Sequence, residues 1–200
     1  MTTPATTPDW DALLDAAHEG FSNTALAEQL LDAATDTIDT PLGPLLVVAI
    51  HESIVRIAFD VEDHELVLAD LASVLGARIV PARTPVLVAA RAQLDEYFAG
   101  SRAGFDLPLD LRLAKGPFRL EVLEHLRAIP IGETRTYAEL AAVAGRPSAV
   151  RAVGSGCATN PVPVVIPCHR VLRTGGALGG YLGGVERKRW LLDHEQRQVG

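Results

Sequence analysis

The stretch TYAELAAVAGRPSAVRAVGSGCA, Thr136–Ala158, decides how this chain is read. Tyr137–Ala144 has apolar residues at helical spacing. Gly145-Arg146-Pro147-Ser148 is turn material ending in a serine placed to cap a second helix, and Ala149–Ala158 supplies that helix. Two short helices joined by a Gly-containing turn make the helix-turn-helix outline. The second helix has an odd composition: Ala149, Ala152, Gly154, Ser155, Gly156 and Ala158 are small, and Arg151 is its one long side chain. Glycine inside a helix costs about 1 kcal/mol relative to alanine, so something comes close to this backbone. Either another helix packs tightly there, or the helix enters a narrow groove with Arg151 free to intrude into a base stack.

Downstream lies NPVPVVIPCHRV, Asn160–Val171. Three prolines stiffen it, and Val164–Ile166 reads as a short buried strand that delivers Cys168 at its end. A free thiol has a pKa near 8.5 and is only a few per cent thiolate at neutral pH; the neighbouring His169 and Arg170 supply a base and a positive field. Two other readings stand beside this one. A cysteine after an apolar run is commonly a buried structural thiol. Cys-His hydrolases are the generic enzymes of this type, but they bring the two residues together from distant positions. Neighbours in an extended segment point apart, so His169 reaches Cys168 obliquely or through water, which suits a base that primes the thiol once. Zinc is disfavoured, because Cys157 and Cys168 are the only cysteines and no ligand lies at metal spacing. Gly-rich segments, Thr174–Gly180 and Gly183-Gly184, come next.

Upstream, Phe118–Ile129 reads as a helix, and Ala99–Ala114, with Gly100, Gly104 and Pro108, as the linker out of an α/β N-terminal domain. Asp63–Leu75 and Pro85–Phe98 have helical spacing. Thr37–Asp60 changes period: a turn at Pro41–Pro44, the apolar run Leu45–Ile50, a break at His51–Ser53, and Ile54–Phe59 spell a hairpin. Trp10–Ala34 reads as helical, with Trp10, Leu13, Leu14 and Ala17 on one face, a cap within Ser22–Thr24, and Leu26, Leu30 and Leu31 beyond; core packing is preferred over partner binding. The Thr/Pro-rich Met1–Pro8 reads as disordered.

The chain has 200 residues, 48% hydrophobic and 22% charged, enough to bury a core without disulfides or metal. Its net charge of −7 argues against nucleic acid as a partner. The average hides a split. Residues 1–114 hold 6 basic and 18 acidic side chains, a net of −12, while residues 115–200 hold 12 and 7, a net of +5. A basic half of this kind points to a polyanion. No signal peptide and no membrane-length apolar run occurs, so a cytoplasmic protein with reduced thiols is expected.

Ile166-Pro167-Cys168-His169-Arg170-Val171 resembles the active-site motif of the methylated-DNA–protein-cysteine methyltransferases, the alkylguanine-DNA alkyltransferases. The likeness runs through Gly132-Glu133-Thr134 with Thr136-Tyr137, Arg151-Ala152-Val153-Gly154, Asn160-Pro161 and Tyr181 with Gly183-Gly184. It closes on Lys188, Trp190-Leu191-Leu192 and His194-Glu195. It is strong over 115–195 and looser over 37–112. It implies an α+β chain: a small ribonuclease-H-like α/β N-terminal domain at 37–112, then a mostly helical, winged helix-turn-helix-like domain at 115–200. Residues 1–36 form a helical extension outside the likeness.

The resemblance also implies roles. Cys168 accepts the alkyl group of O6-alkylguanine in a single displacement. His169 takes the thiol proton through a water, with Glu195 behind it, and Asn160 bridges the helix pair and the cysteine loop. Tyr137 contacts the flipped base and supports the departing guanine. The carbonyls of Cys168 and Val171 read its exocyclic amine, and Tyr181 borders the base. Arg151 fills the gap in the duplex, and Arg146, Thr174 and Arg119 meet DNA. The product is a thioether, so each molecule reacts once. The implied partner is double-stranded DNA containing O6-alkylguanine, with O4-methylthymine left open; no cofactor, metal or membrane is implied, and a monomer is expected.

Leu182 departs from the polar or aromatic residue that relatives often carry beside Tyr181, which leaves the alkyl preference open. Cys157 reads as a small packing residue. The competing functions are a non-catalytic alkylated-base binder, which lacks the acceptor cysteine, and a plain helix-turn-helix regulator, which does not need the Ile-Pro-Cys-His-Arg segment.

Overall fold

Six consecutive apolar residues, Leu45–Ile50, form the strand around which the N-terminal half is built. All six are buried, because the pleat sends Leu45, Val47 and Ala49 into one core and Leu46, Val48 and Ile50 into another. The computed structural model describes Gly20, Thr24, Ala25 and residues 30–199. It pairs this strand, β2, with β1 (Ala33–Ile38) and β3 (Ser53–Phe59), both antiparallel, and adds β4 (Ile79–Pro81) parallel to β1. The sheet order is β3-β2-β1-β4. Helix α1 (His64–Leu75) covers one face through Leu71, and α2 (Pro85–Phe98) covers the other through Leu87 and Leu94. Asp63 caps α1 by accepting from the Glu65 and Leu66 amides; Thr84 caps α2 ahead of Pro85, whose missing N–H costs nothing at a first turn.

Two expectations change here. Ala33 and Ala34, expected in a helix, open β1, because pairing with Ala49, Ile79 and Val80 overrides alanine's helical preference. The boundary expected between residues 36 and 37 therefore falls inside a strand. Thr24 is itself helical, its hydroxyl bonded back to the Gly20 carbonyl. The rest of the expected helical extension, and Met1–Pro8, lie outside the described residues. The segment 99–114 is more than a linker. Leu107, Leu109 and Leu111 alternate into the main core, and backbone bonds Ile54 N to Pro108 O and Asp110 N to Ile54 O (both 2.9 Å) strap it along the edge of β3.

The C-terminal half packs α3 (Pro117–Arg127), α4 (Tyr137–Val143) and α5 (Val150–Ala158) together, and α6 (Val185–Val199) follows them. Thr136 and Glu139 form a reciprocal capping box that fixes Tyr137 as the first residue of α4. Two short parallel strands, β5 (Arg135-Thr136) and β6 (Val171-Leu172), tie the start of α4 to the segment after Cys168. The serine expected to cap α5 does not: Ala149 holds that position without a side-chain bond, and Ser148 stays in the exposed turn. Among the described residues no helix is long and apolar enough to cross a membrane.

One hydrophobic cluster runs through both halves, from Leu45 and Leu94 to Leu123, Ile166 and Leu191. Polar bonds cross the same seam: Ile57 N to Pro161 O (2.9 Å), Arg187 Nε to Leu42 O (2.6 Å) and Arg187 to Asp60 (2.6 Å). At its tightest point a Cβ on Gly183 would lie 2.9 Å from the buried Phe59 ring. Gly183→Ala should therefore destabilise the protein by about 1–3 kcal/mol through overpacking, read as a lower urea midpoint. In a Phe59→Leu background the added penalty should shrink, because the two changes share one contact.

Candidate active site

Asn160 organises the loop that carries the cysteine. Its Oδ1 accepts from Val162 N (3.1 Å), and its Nδ2 donates to the Ile166 carbonyl (2.8 Å) and to Cys168 Sγ (3.2 Å). Pro161, Pro163 and Pro167 have no N–H to offer a ladder. Ile166 N turns back to the Val162 carbonyl (2.9 Å), and Val164 sits at φ +73°. The strand expected over Val164–Ile166 is thus a tight turn with a single Pro163–Ile166 bridge. A β-branched residue in the left-handed region costs of order 1–3 kcal/mol, and the Asn160 bonds hold it there.

Cys168–Arg170 make one 3₁₀ turn rather than the extended chain expected. Cys168, His169 and Arg170 are all buried, and His169 and Arg170 both reach Glu195 on α6. Arg170 grips the carboxylate with two nitrogens, Nε to Oε2 and Nη2 to Oε1 (both 2.8 Å), and gives Nη1 to the Ile129 carbonyl (2.5 Å). His169 Nε2 lies 2.8 Å from Oε1, Tyr97 of α2 donates its hydroxyl to the same oxygen (2.7 Å), and Gly132 N approaches Oε2 (3.4 Å). Burial alone would raise the Glu195 carboxyl; the bonds and charges of His169 and Arg170 outweigh it and hold the group well below the usual carboxylate range.

That ionised carboxylate decides the histidine tautomer. A carboxylate only accepts, so Nε2 carries the proton, and burial keeps the ring neutral by pushing its pKa below 6.5 against the pull of Glu195. Nδ1 is left as a bare lone pair, buried and without a hydrogen-bond partner among the described residues. The thiol of the preceding residue is also neutral. Burial pushes Cys168 up to about 11, against the Asn160 bond and the Lys188 charge that favour the thiolate. A protonated thiol, an N–H already aimed at its sulfur, and an unoccupied basic nitrogen in the adjacent residue form a group that becomes a nucleophile when the proton moves.

Around the thiol stand the other residues expected. Tyr137 is half-buried, and burial raises its hydroxyl above the usual range, so it keeps its proton. A Cβ on Gly179 would come within 2.6 Å of that hydroxyl, so this glycine leaves room for Tyr137, whereas one on Gly154 would make only ordinary contact with the ring at 4.0 Å. A Cβ on Gly156 would meet Val122 of α3 at 3.0 Å, so helix packing accounts for this glycine. Val171 is buried, and its carbonyl accepts from Lys188 Nζ (2.5 Å). The Tyr181 ring packs edge-on against Phe59 and His169, with its hydroxyl buried and without a hydrogen-bond partner among the described residues. Arg146, Arg151 and Thr174 are exposed and Arg119 is half-buried; none of them contacts the thiol, and the Arg146 guanidinium lies 4.8 Å over the Phe118 ring. Cys157 is buried in α5, its thiol raised by burial.

Three partners of Glu195 are absent from the sequence reading: Arg170, Tyr97 and the Gly132 amide. Arg170 sits within the quoted motif, whereas Tyr97 lies in an ordinary amphipathic helix and offers no signal. A cleft of about 590 Å³ lies behind the centre, bordered by Arg102, Phe105, Arg127, Ile129, Pro167 and Arg170. Neither Cys168 nor Tyr137 lines it. Among the described residues no group of His, Cys, Asp and Glu is arranged to hold a metal.

A stored thiol beside a helix-turn-helix pair describes a protein that performs cysteine chemistry on nucleic acid. Comparison with known proteins narrows the class. Residues 117–197 match the 6-O-methylguanine DNA methyltransferase DNA-binding domain, and residues 35–111 match the ribonuclease-like domain of the same family. The methylated-DNA–protein-cysteine methyltransferase of Salmonella typhimurium is 41% identical over 170 residues, 83% of this chain and 97% of that protein. The crystal structure of the Mycobacterium tuberculosis O6-methylguanine methyltransferase superposes with a TM-score of 0.72 at 35% identity, over 84% of this chain and 95% of that one. The same organism's protein solved in complex with DNA gives 0.70 at 36%, over 82% and 94%. The chain belongs to the 6-O-methylguanine DNA methyltransferase family.

The two shifted groups set an acid dependence of stability. His169 titrates below 6.5 and Glu195 below 4.5 in the folded state, so the unfolded chain takes up each proton first as pH falls. The unfolding free energy should be largest above pH 6.5, fall as the His169 window is crossed, and fall again below 4.5. Urea titrations from about pH 8 to about pH 3 read this directly. In His169→Gln the first fall should vanish and the second remain.

Proposed function

We propose that Cys168 takes an alkyl group directly from O6-alkylguanine in double-stranded DNA and is consumed by doing so. The family repairs DNA by direct alkyl transfer to a protein cysteine, and this chain is such a methyltransferase. The observation that carries the assignment of residues is the bare Nδ1 of His169, held in that tautomer by an ionised Glu195 next to a protonated Cys168. Through a bridging water, the Cys168 proton passes to Nδ1, and the Glu195 carboxylate stabilises the resulting imidazolium. The Asn160 amide, already directed at Sγ, strengthens as the sulfur becomes anionic.

The thiolate attacks the alkyl carbon. A sulfur–carbon bond forms, the carbon–oxygen bond breaks, and its electron pair goes to O6 of guanine, supported by the Tyr137 hydroxyl. The product thioether has no leaving chemistry under mild reductants, so one molecule repairs one base. Cys168 is buried, so the base must leave the stack to meet it. The carbonyls of Cys168 and Val171 read its exocyclic amine, Tyr181 borders it, and Arg151 fills the vacated space. Arg146, Thr174 and Arg119 contact the DNA backbone. Every one of these contacts lies in the half with a net charge of +5. The ribonuclease-like half (37–112) acts as scaffold to the alkyltransferase half (115–200), the protein works as a monomer, and O4-methylthymine is a second candidate substrate.

Incubation with a duplex carrying O6-methylguanine, digestion and mass analysis should add one methyl to the Cys168 peptide. Cys168→Ala should bind the duplex and transfer nothing; an unmodified Cys168 peptide, or methyl on Cys157, would refute the assignment. Arg151→Ala should slow transfer from duplex DNA by roughly tenfold or more, since unstacking a base costs a few kcal/mol and each 1.4 kcal/mol is a factor of ten. Transfer from a single strand should change far less.

A further inference from the structure

The ribonuclease-like half sends the Tyr97 side chain to the Glu195 carboxylate. Tyr97 stands at the end of α2, yet its hydroxyl lies 2.7 Å from Glu195 Oε1, the same oxygen that takes His169 Nε2 and Arg170 Nη2 at 2.8 Å. A carboxylate oxygen offers two in-plane lone pairs, so three donors share what two would saturate. Tyr97 is fully buried and firmly placed: its ring centroid is 5.2 Å from Phe105 and 5.4 Å from His194, and its carbonyl accepts from His194 Nε2 (2.8 Å). Burial and the Glu195 charge both push its hydroxyl upward, so it remains a donor at every working pH.

We propose that Tyr97 is a positioning residue of the alkyl-transfer centre: it fixes Glu195 Oε1 and draws off part of the carboxylate charge that would otherwise reach His169. This deepens the assignment of His169 as the base and rests on it. The charged and titratable groups that face His169 are Cys168 and Arg170 from its own turn, Lys188 and Glu195 from α6, and Tyr181 from the loop before α6. Among the described residues, the hydrogen-bonded path from the ring to the N-terminal half runs through Glu195 to Tyr97. Weakening the Tyr97 bond concentrates negative charge on that path and makes His169 more basic; strengthening it does the reverse.

The test uses the whole chain with ¹⁵N-labelled histidine, the His169 ring being assigned by its loss in His169→Gln. Tyr97→Phe keeps the ring packing and removes the donor. It should raise the His169 titration midpoint by about half a unit or more, a fraction of what one hydrogen bond to a charged group is worth. Site-specific 3-fluorotyrosine at position 97 keeps the ring, makes the hydroxyl a stronger donor, and should lower the midpoint. It also decides the matter if Tyr97→Phe does not fold. The acid limb of methyl transfer should follow the same two directions. An unmoved midpoint, or shifts of the same sign in both variants, would overturn the proposal. If the midpoints move as stated but no methyl reaches Cys168 in the parent protein, the positioning role stands and the transfer assignment fails.

Discussion

A single buried carboxylate holds the reactive part of this molecule together. Glu195 collects Arg170, His169, Tyr97 and the Gly132 amide, which reach it from the cysteine turn, from α2 and from the loop after α3. Taking a carboxylate out of water costs several kcal/mol, and an arrangement of this kind survives only when every lone pair is used. Here the bidentate Arg170 cancels the charge, and its remaining nitrogen ties the loop after α3 through Ile129. The same charge fixes which histidine nitrogen is free. Fold and chemistry thus share one interaction, and neither can be altered alone.

The thiol beside it is kept in an inert form. Many reactive cysteines are stored as thiolates beside a cation, which exposes them to oxidants and stray electrophiles. Cys168 is instead buried and raised to about 11, with Lys188 too far committed to the Val171 carbonyl to ionise it. A reagent used once loses nothing by being slow until its substrate arrives. Burial gives selectivity, because little reaches a sulfur that is enclosed on this scale.

The regular elements were legible because their patterns are local. The apolar run Leu45–Ile50, the helical spacing in Asp63–Leu75 and Pro85–Phe98, and the Thr136–Glu139 box each specify their own structure. Ala33-Ala34 misled because two alanines favour a helix until a sheet edge is offered to them. Val164 misled because a run of Val and Ile spells strand, whereas the nearby Asn160 side chain supplies the bonds a neighbouring strand would have given. Cys168 and His169 could be picked out by chemistry. Glu195 came from family likeness, since no local pattern links it to a histidine 26 residues away. Tyr97 had no such advocate: its partner is 98 residues distant.

Those separations bear on how the protein comes into being. The bonds that complete the centre span 98 residues from Tyr97 and 63 from Gly132, and the seam is fastened by Arg187 to Leu42 across 145. All three end on α6. His169 has no tautomer imposed on it until α6 has docked, because Glu195 is carried there. Before that moment Cys168 is an ordinary thiol on an unfinished surface. The helix that carries Glu195 is therefore the one that arms the thiol.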